Sequence, residues 1–189
     1  DVGDEKNKSN ADMAGSAGFK WNGRDYKIQG KKLSEVGCAI GAMCTAFSSV
    51  AKANVAPNSF LARVAGMFYV KGVGIHMSYM KKMGDRYGVG VRYFDTTNGI
   101  PSAKSVERLI KKGHAFIALI TNDEGNHFIA VTKMSGDGTV VINDPLTGES
   151  KESTVSFIAM TKKLILVSPA KKLSDIVASV VDIKDAEEI

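Results

Sequence analysis

After Gly37, the apolar residues Ile40, Met43, Cys44, Phe47, Val50 and Ala51 recur at three- and four-residue intervals with few polar residues between them. This spacing predicts a central buried helix that ends near Asn54. Pro57 suits a helix start, and Asn58 or Ser59 can cap a short helix carrying Phe60, Leu61, Val64 and Met67. A third amphipathic helix, holding His76, runs to a stop at Gly88 and is followed by a strand from Val91 to Asp95. After one more helix around "SAKSVERLIKKG", the pattern changes. The apolar segments "HAFIALI", "HFIAVTKM" and "TVVIND" follow in close order, separated by the turn sequences "TNDEGN" and "SGDG". That alternation of runs and turns predicts an antiparallel meander. "VSFIAM" then gives a short helix or turn and "KKLILVSP" a last strand. Helices first and sheet second make an α+β fold, with an N-terminal helical half packed on a C-terminal antiparallel sheet.

The two ends differ from the body. Residues 1–18 are polar, rich in Gly, Asn and Ser and without periodicity, which reads as a disordered arm; residues 19–169 form one domain. Residues 170–189 are a charged tail in which Leu173, Ile176, Val177, Val180 and Val181 mark a short amphipathic helix, suited to docking on the body or on a partner. Each end carries a net charge of −2, so of the total of +5 the body holds +9. A basic body favours an anionic neighbour such as cell-wall polymer, whereas lysines spread over solvated faces are the plainer account. No nucleic-acid motif accompanies the charge, and no apolar run reaches the roughly 18 residues of a membrane span.

Cys38 and Cys44 are too far apart along a helix to bridge: six residues rise roughly 9 Å, against a tolerance of roughly 7 Å between Cα atoms. Free thiols are expected, and three His without a Cys or His cluster make no metal site. Cys38, behind Gly37 at a helix N-terminus, faces unpaired backbone N–H groups that lower a thiol pKa. Cys44 falls in the helix interior and reads as core.

A thiolate nucleophile needs a base. His127 opens a strand after a Gly-Asn turn, while His114 sits behind Gly113 at a helix-to-strand join. If "SGDG" closes a two- or four-residue loop, partners across the hairpin have numbers summing to 273 or 275. His127 and Asp144 also sum to an odd number, so both project from one face. In the 273 register Asp144 is one diagonal step from His127, within reach of the imidazole. A three-residue loop would separate them, and Asn143, Asp144 and Pro145 also read as a plain turn. A thiol, an imidazole and a carboxylate form the nucleophile, base and orienter set of acyl transfer.

These residues resemble a known family. "GCAIGAMCTAFSSVAKANVAPNSFLA", "GIHMSYMKKMGDRYGV", "KKGHAFIALI" and "NHFIAVTKMSGDGTVVINDPLTGESKESTVSFIAM" are similar, in order and spacing, to successive segments of the bacteriocin-processing papain-like cysteine peptidases, including stand-alone relatives of the bacteriocin-exporter peptidase domain. The resemblance spans about residues 26–168. It implies a papain-like fold, with Cys38 as nucleophile, His127 as base and Asp144 as its orienter, acting on a peptide or protein substrate without a cofactor. Exporter peptidases carry an oxyanion Gln six residues before the Cys, where this chain has Lys32; Gln29, nine before, is the candidate for that role. The chain also has Ala-Ile-Gly after Cys38 where relatives often have Gly-Pro. Two alternatives accompany the peptidase: a secreted or virion-associated hydrolase of cell-wall peptide cross-links, and an inactive peptide-binding or structural module of the same fold. The compartment stays open, an extracytoplasmic or virion-associated one being favoured over the cytoplasm.

Overall fold

The computed structural model describes residues 27–28, 31–32, 37–57, 59–123, 125–145 and 147–169. The expected arm over 1–18, the tail over 170–189 and the oxyanion candidate Gln29 lie outside these residues.

The predicted central helix is α1, Cys38–Ala51, which is buried on all sides except at Ser49 and, in part, at Cys38 and Ala51. An amphipathic stripe would suit a surface helix, whereas a helix apolar all round is stable only inside the protein. It ends three residues before Asn54, because Lys52 adopts the left-handed conformation with φ of 50°. Helix α2 (Ser59–Met67) and helix α3 (Ser78–Tyr87) pack beside it. The stop expected at Gly88 holds: its φ of 68° turns the chain out of α3, and its N–H donates to the carbonyl of Gly84. A residue with a Cβ would meet steric cost in that left-handed region.

Two short hairpins lie near these helices: β1 (Lys27–Ile28) with β2 (Lys31–Lys32), and β3 (Tyr69–Val70) with β4 (Gly74–Ile75). The main sheet has six antiparallel strands: β5 (Gly90–Asp95), β6 (Ala115–Asn122), β7 (Gly125–Gly136), β8 (Thr139–Asp144), β9 (Glu149–Thr154) and β10 (Lys163–Ser168). Their spatial order is β5-β10-β6-β7-β8-β9, so the last strand in sequence inserts between β5 and β6.

The helical half packs on one face of the sheet, as expected, and two further helices cover the other. Ala115, Ile117, Phe128, Ala130, Ile165 and Val167 pack with α1, α2 and α3. Their immediate neighbours Phe116, Ala118, Ile129, Val131, Leu164 and Leu166 join a second core cluster. That cluster also contains Val106, Leu109 and Ile110 of α4 (Ala103–Lys111), and Val155 and Ile158 of α5 (Val155–Ala159). The sheet is therefore covered on both faces, which is why "HAFIALI", "HFIAV" and "KLILV" read as continuous apolar runs rather than alternating ones. Two hydroxyls set the outer helices: Ser102 accepts from the N–H of Ser105 at 3.2 Å and Thr154 from that of Phe157 at 3.1 Å. The α+β class expected from the sequence holds with this third layer added.

Candidate functional site

Residue numbers across the β7–β8 hairpin sum to 275 at the turn pair Gly136↔Thr139, to 274 at Lys133↔Val141 and to 273 at Ala130↔Asn143. Two one-residue irregularities thus shift the register twice. Each shift alone would flip every later side chain to the other face; together they restore the parity set by the two-residue turn Asp137-Gly138. His127 and Asp144 accordingly share a face, and His127 Nε2 lies 2.6 Å from Asp144 Oδ1. Both side chains are largely buried, at 7% and 14% exposure. An ionised carboxylate only accepts, so Nε2 carries the proton and Nδ1 is left as the basic nitrogen.

Asp144 is placed by its own turn as well. The N–H of Gly148, at φ of 72°, donates to the Asp144 carbonyl at 2.8 Å, and Asp144 pairs with Glu149 where β9 begins. In "NDPLTG" the backbone closes the turn while the Asp144 side chain reaches the imidazole. Asn143 braces the neighbouring position. Its amide donates to Thr132 Oγ1 at 3.2 Å and its oxygen accepts from Ser150 Oγ at 2.7 Å, tying β7, β8 and β9 together. Placed before Asp144 and Pro145, Asn143 reads in the sequence as part of a turn, and nothing there signals this bracing role.

Cys38 is the first residue of α1, whose opening backbone bond runs from Gly41 N–H to the Gly37 carbonyl at 3.0 Å. Its thiol lies near β7 at Phe128, where the backbone N–H groups of Phe128, Ala39 and Cys38 itself favour the thiolate. Strand alternation puts Phe128 on the α1 side and His127 on the side of Ile129. The structure thus brings imidazole and acid into direct contact, and the thiol near the strand that carries the imidazole.

The thiol pKa departs from expectation. Burial pushes it up, and this outweighs the three backbone donors that pull it down; the nearby negative charge of Asp144 adds to the rise. Desolvation opposes the lowering that a helix N-terminus provides, and here it is the larger effect. Cys44 is fully buried and its thiol is raised by desolvation alone, as expected of core. Both cysteines are free.

Cys38 opens into a cleft of about 460 Å³ whose walls come from β3–β4, the start of β7 and the facing part of β6. His76 lies on this cleft, ahead of α3 rather than on it as expected, and His114 is buried before β6. A second cleft of about 510 Å³, between α1 and β7–β9, is lined by polar residues such as Ser49, Asn143 and Lys151 and holds no nucleophilic thiol. Among the described residues no cluster of His, Cys, Asp or Glu fits a metal ion, and no helix is long and apolar enough to cross a membrane.

A model of the Peptidase_C39 like family matches residues 21–164. Among solved structures, the chain is similar to the peptidase domain of Streptococcus ComA, a bi-functional ABC transporter involved in a quorum-sensing pathway. The TM-score is 0.47 and the identity 13%, over 68% of this chain and 90% of that one. No curated protein matches the chain.

Proposed function

Since this chain belongs to the Peptidase_C39 like family, a family of cysteine peptidases, we propose that it hydrolyses a peptide bond in a peptide or protein substrate through Cys38, His127 and Asp144. The observation that carries this is the 2.6 Å contact between His127 Nε2 and Asp144 Oδ1. His127 Nδ1 takes the proton of Cys38 as the sulfur attacks the substrate carbonyl carbon, forming a tetrahedral oxyanion. The C–N bond then breaks, and the imidazolium returns the proton to the leaving amine. A water molecule, deprotonated by the same imidazole, hydrolyses the thioester and frees the thiol. Asp144 accepts from Nε2 throughout, fixing the tautomer and stabilising the imidazolium.

The N–H of Cys38 serves as one oxyanion donor and Gln29 as the candidate second. Losing a single donor of this kind typically costs about 3–4 kcal/mol of transition-state stabilisation. The reading is tested with a peptide substrate and the variants Cys38→Ala and His127→Ala. Turnover should vanish in both; undiminished turnover in either, with folding intact, would overturn it.

A further inference from the structure

The contact between His127 and Asp144 is made beyond the end of the ladder that joins their strands. The last paired residues of β7 and β8 are Ala130 and Asn143, so His127 lies three residues past that end and Asp144 one residue past it. Just inside the end, the ladder is interrupted. Val131 faces Ile142 and Met134 faces Val140, and all four pack in the second core cluster. Side chains three apart on a regular strand point to opposite faces, so one extra residue must stand between Val131 and Met134. Thr132 is left out of the pairing there, and an unpaired bulge residue disrupts the ladder around it.

Side chains span the interruption. Asn143 is only 7% exposed, and its amide donates to Oγ1 of the unpaired Thr132 at 3.2 Å while its oxygen accepts from Ser150 Oγ on β9 at 2.7 Å. The donor and the acceptor of one planar amide are thus engaged in opposite directions across the sheet. A buried amide that loses a partner keeps an unmet hydrogen bond, so this arrangement resists displacement. Asp144 is the next residue along, and any movement of the Asn143 backbone passes directly to its carboxylate.

We propose that Asn143, with Thr132 and Ser150, forms a side-chain clasp that replaces the interrupted ladder at the bulge and holds Asp144 Oδ1 on His127 Nε2. Asn143 and Thr132 are then positioning residues, a role whose kinetic consequence rests on the peptidase reading. The apolar pairs decide that imidazole and acid share a face, whereas the clasp decides how closely they meet. Thr132, Asn143 and Ser150 also line the polar cleft of about 510 Å³. Water can therefore reach the partners left by a truncated Asn143, so its loss bears on the placement of the acid more than on the fold.

The test pairs kinetics with the state of the ring. Long-range proton–nitrogen NMR of the histidine rings, with the His127 signals identified by their loss in His127→Ala, reports which nitrogen carries the proton at alkaline pH. The wild type should show one tautomer, protonated on Nε2. Asn143→Ala and Thr132→Val should show a mixture, and Thr132→Ser, which keeps the hydroxyl, a single form. With a peptide substrate, kcat should fall by roughly 10- to 100-fold in the first two variants, KM changing little, and stay near wild type in Thr132→Ser. Circular dichroism checks the fold; where Asn143→Ala does not fold, Thr132→Val, which loses one hydroxyl and keeps its shape, decides. A wild-type tautomer and kcat in either folded variant, or equal losses in Thr132→Ser and Thr132→Val, overturn the clasp and leave the peptidase standing. A tautomer change without turnover by the wild type supports the clasp and overturns the peptidase. One tautomer in every variant, with no wild-type turnover, overturns both.

Discussion

Replacing Asp144 with Ala removes the acceptor of the His127 Nε2 proton and leaves the ring free to rotate or change tautomer. The contact is short, at 2.6 Å, and its side chains are only 7% and 14% exposed, so water screens it weakly. Hydrogen bonds to a charged group contribute ~1.5–3 kcal/mol, which corresponds to roughly a 10- to 150-fold loss of kcat. Weak screening places Asp144→Ala in the upper half of that range. Asp144→Asn keeps an oxygen that can accept but no charge, and should lose less. The thiol responds with the opposite sign. The Asp144 charge holds its pKa up directly, so removing that charge lets the thiolate form more readily at a given pH. Alkylation of Cys38 by neutral iodoacetamide should therefore be unchanged or faster in Asp144→Asn while peptide turnover falls. Circular dichroism and thermal unfolding report whether each variant folds. Wild-type turnover in folded Asp144→Ala would refute the orienting role, and slowed alkylation in Asp144→Asn would refute the direct effect of the charge.

Other consequences are open to simple measurement. In the folded protein iodoacetamide should label Cys38, which lines the cleft, and spare the fully buried Cys44; mass spectrometry of tryptic peptides separates the two, and equal labelling would count against the site. Burial raises both thiols, so the folded state keeps protons that the unfolded chain loses above a pKa of about 8.5. Stability should then decline with rising pH by up to ~1.4 kcal/mol per unit per thiol, and a shallower fall of Tm between pH 8 and 10 is expected in Cys44→Ala. A Cβ at Gly84 would come within 2.5 Å of Val91 Cγ2, so Gly84→Ala should cost about 1–3 kcal/mol in denaturant unfolding by forcing α3 away from β5. Purified cell-wall sacculi are the comparison substrate suggested by the +9 body; peptide release from them by the wild type but not by Cys38→Ala would move the substrate from soluble peptides to wall cross-links.

Periodicity and parity made the central helix and the His127–Asp144 pair legible, because both depend on side-chain spacing that burial enforces. Other features left weaker traces. Strand β9, "ESKEST", is almost wholly exposed at the sheet edge, and its charged, hydroxyl-rich sequence is what discourages edge-to-edge pairing, so it carries no apolar signal. The β3–β4 hairpin has only two residues per strand. That α4 and α5 cover the far face is set by the sheet order, which adjacent segments do not encode, although the unbroken apolar runs hinted at two covered faces. The raised thiol of Cys38 depends on how closely three elements crowd around it, and a local helix-terminus argument does not contain that density.

The insertion of β10 between β5 and β6 has a consequence for biosynthesis. Until Lys163–Ser168 leaves the ribosome, β5 has no partner strand in the sheet and β6 is paired on one edge alone. A nascent chain can assemble the β6–β9 ribbon early, but β5 and the α3 helix packed on it are locked to that ribbon only when the closing strand arrives. Ribosome-stalled chains cut short before residue 163 should therefore be protease-sensitive around β5, and resistance should appear late in synthesis, in one step.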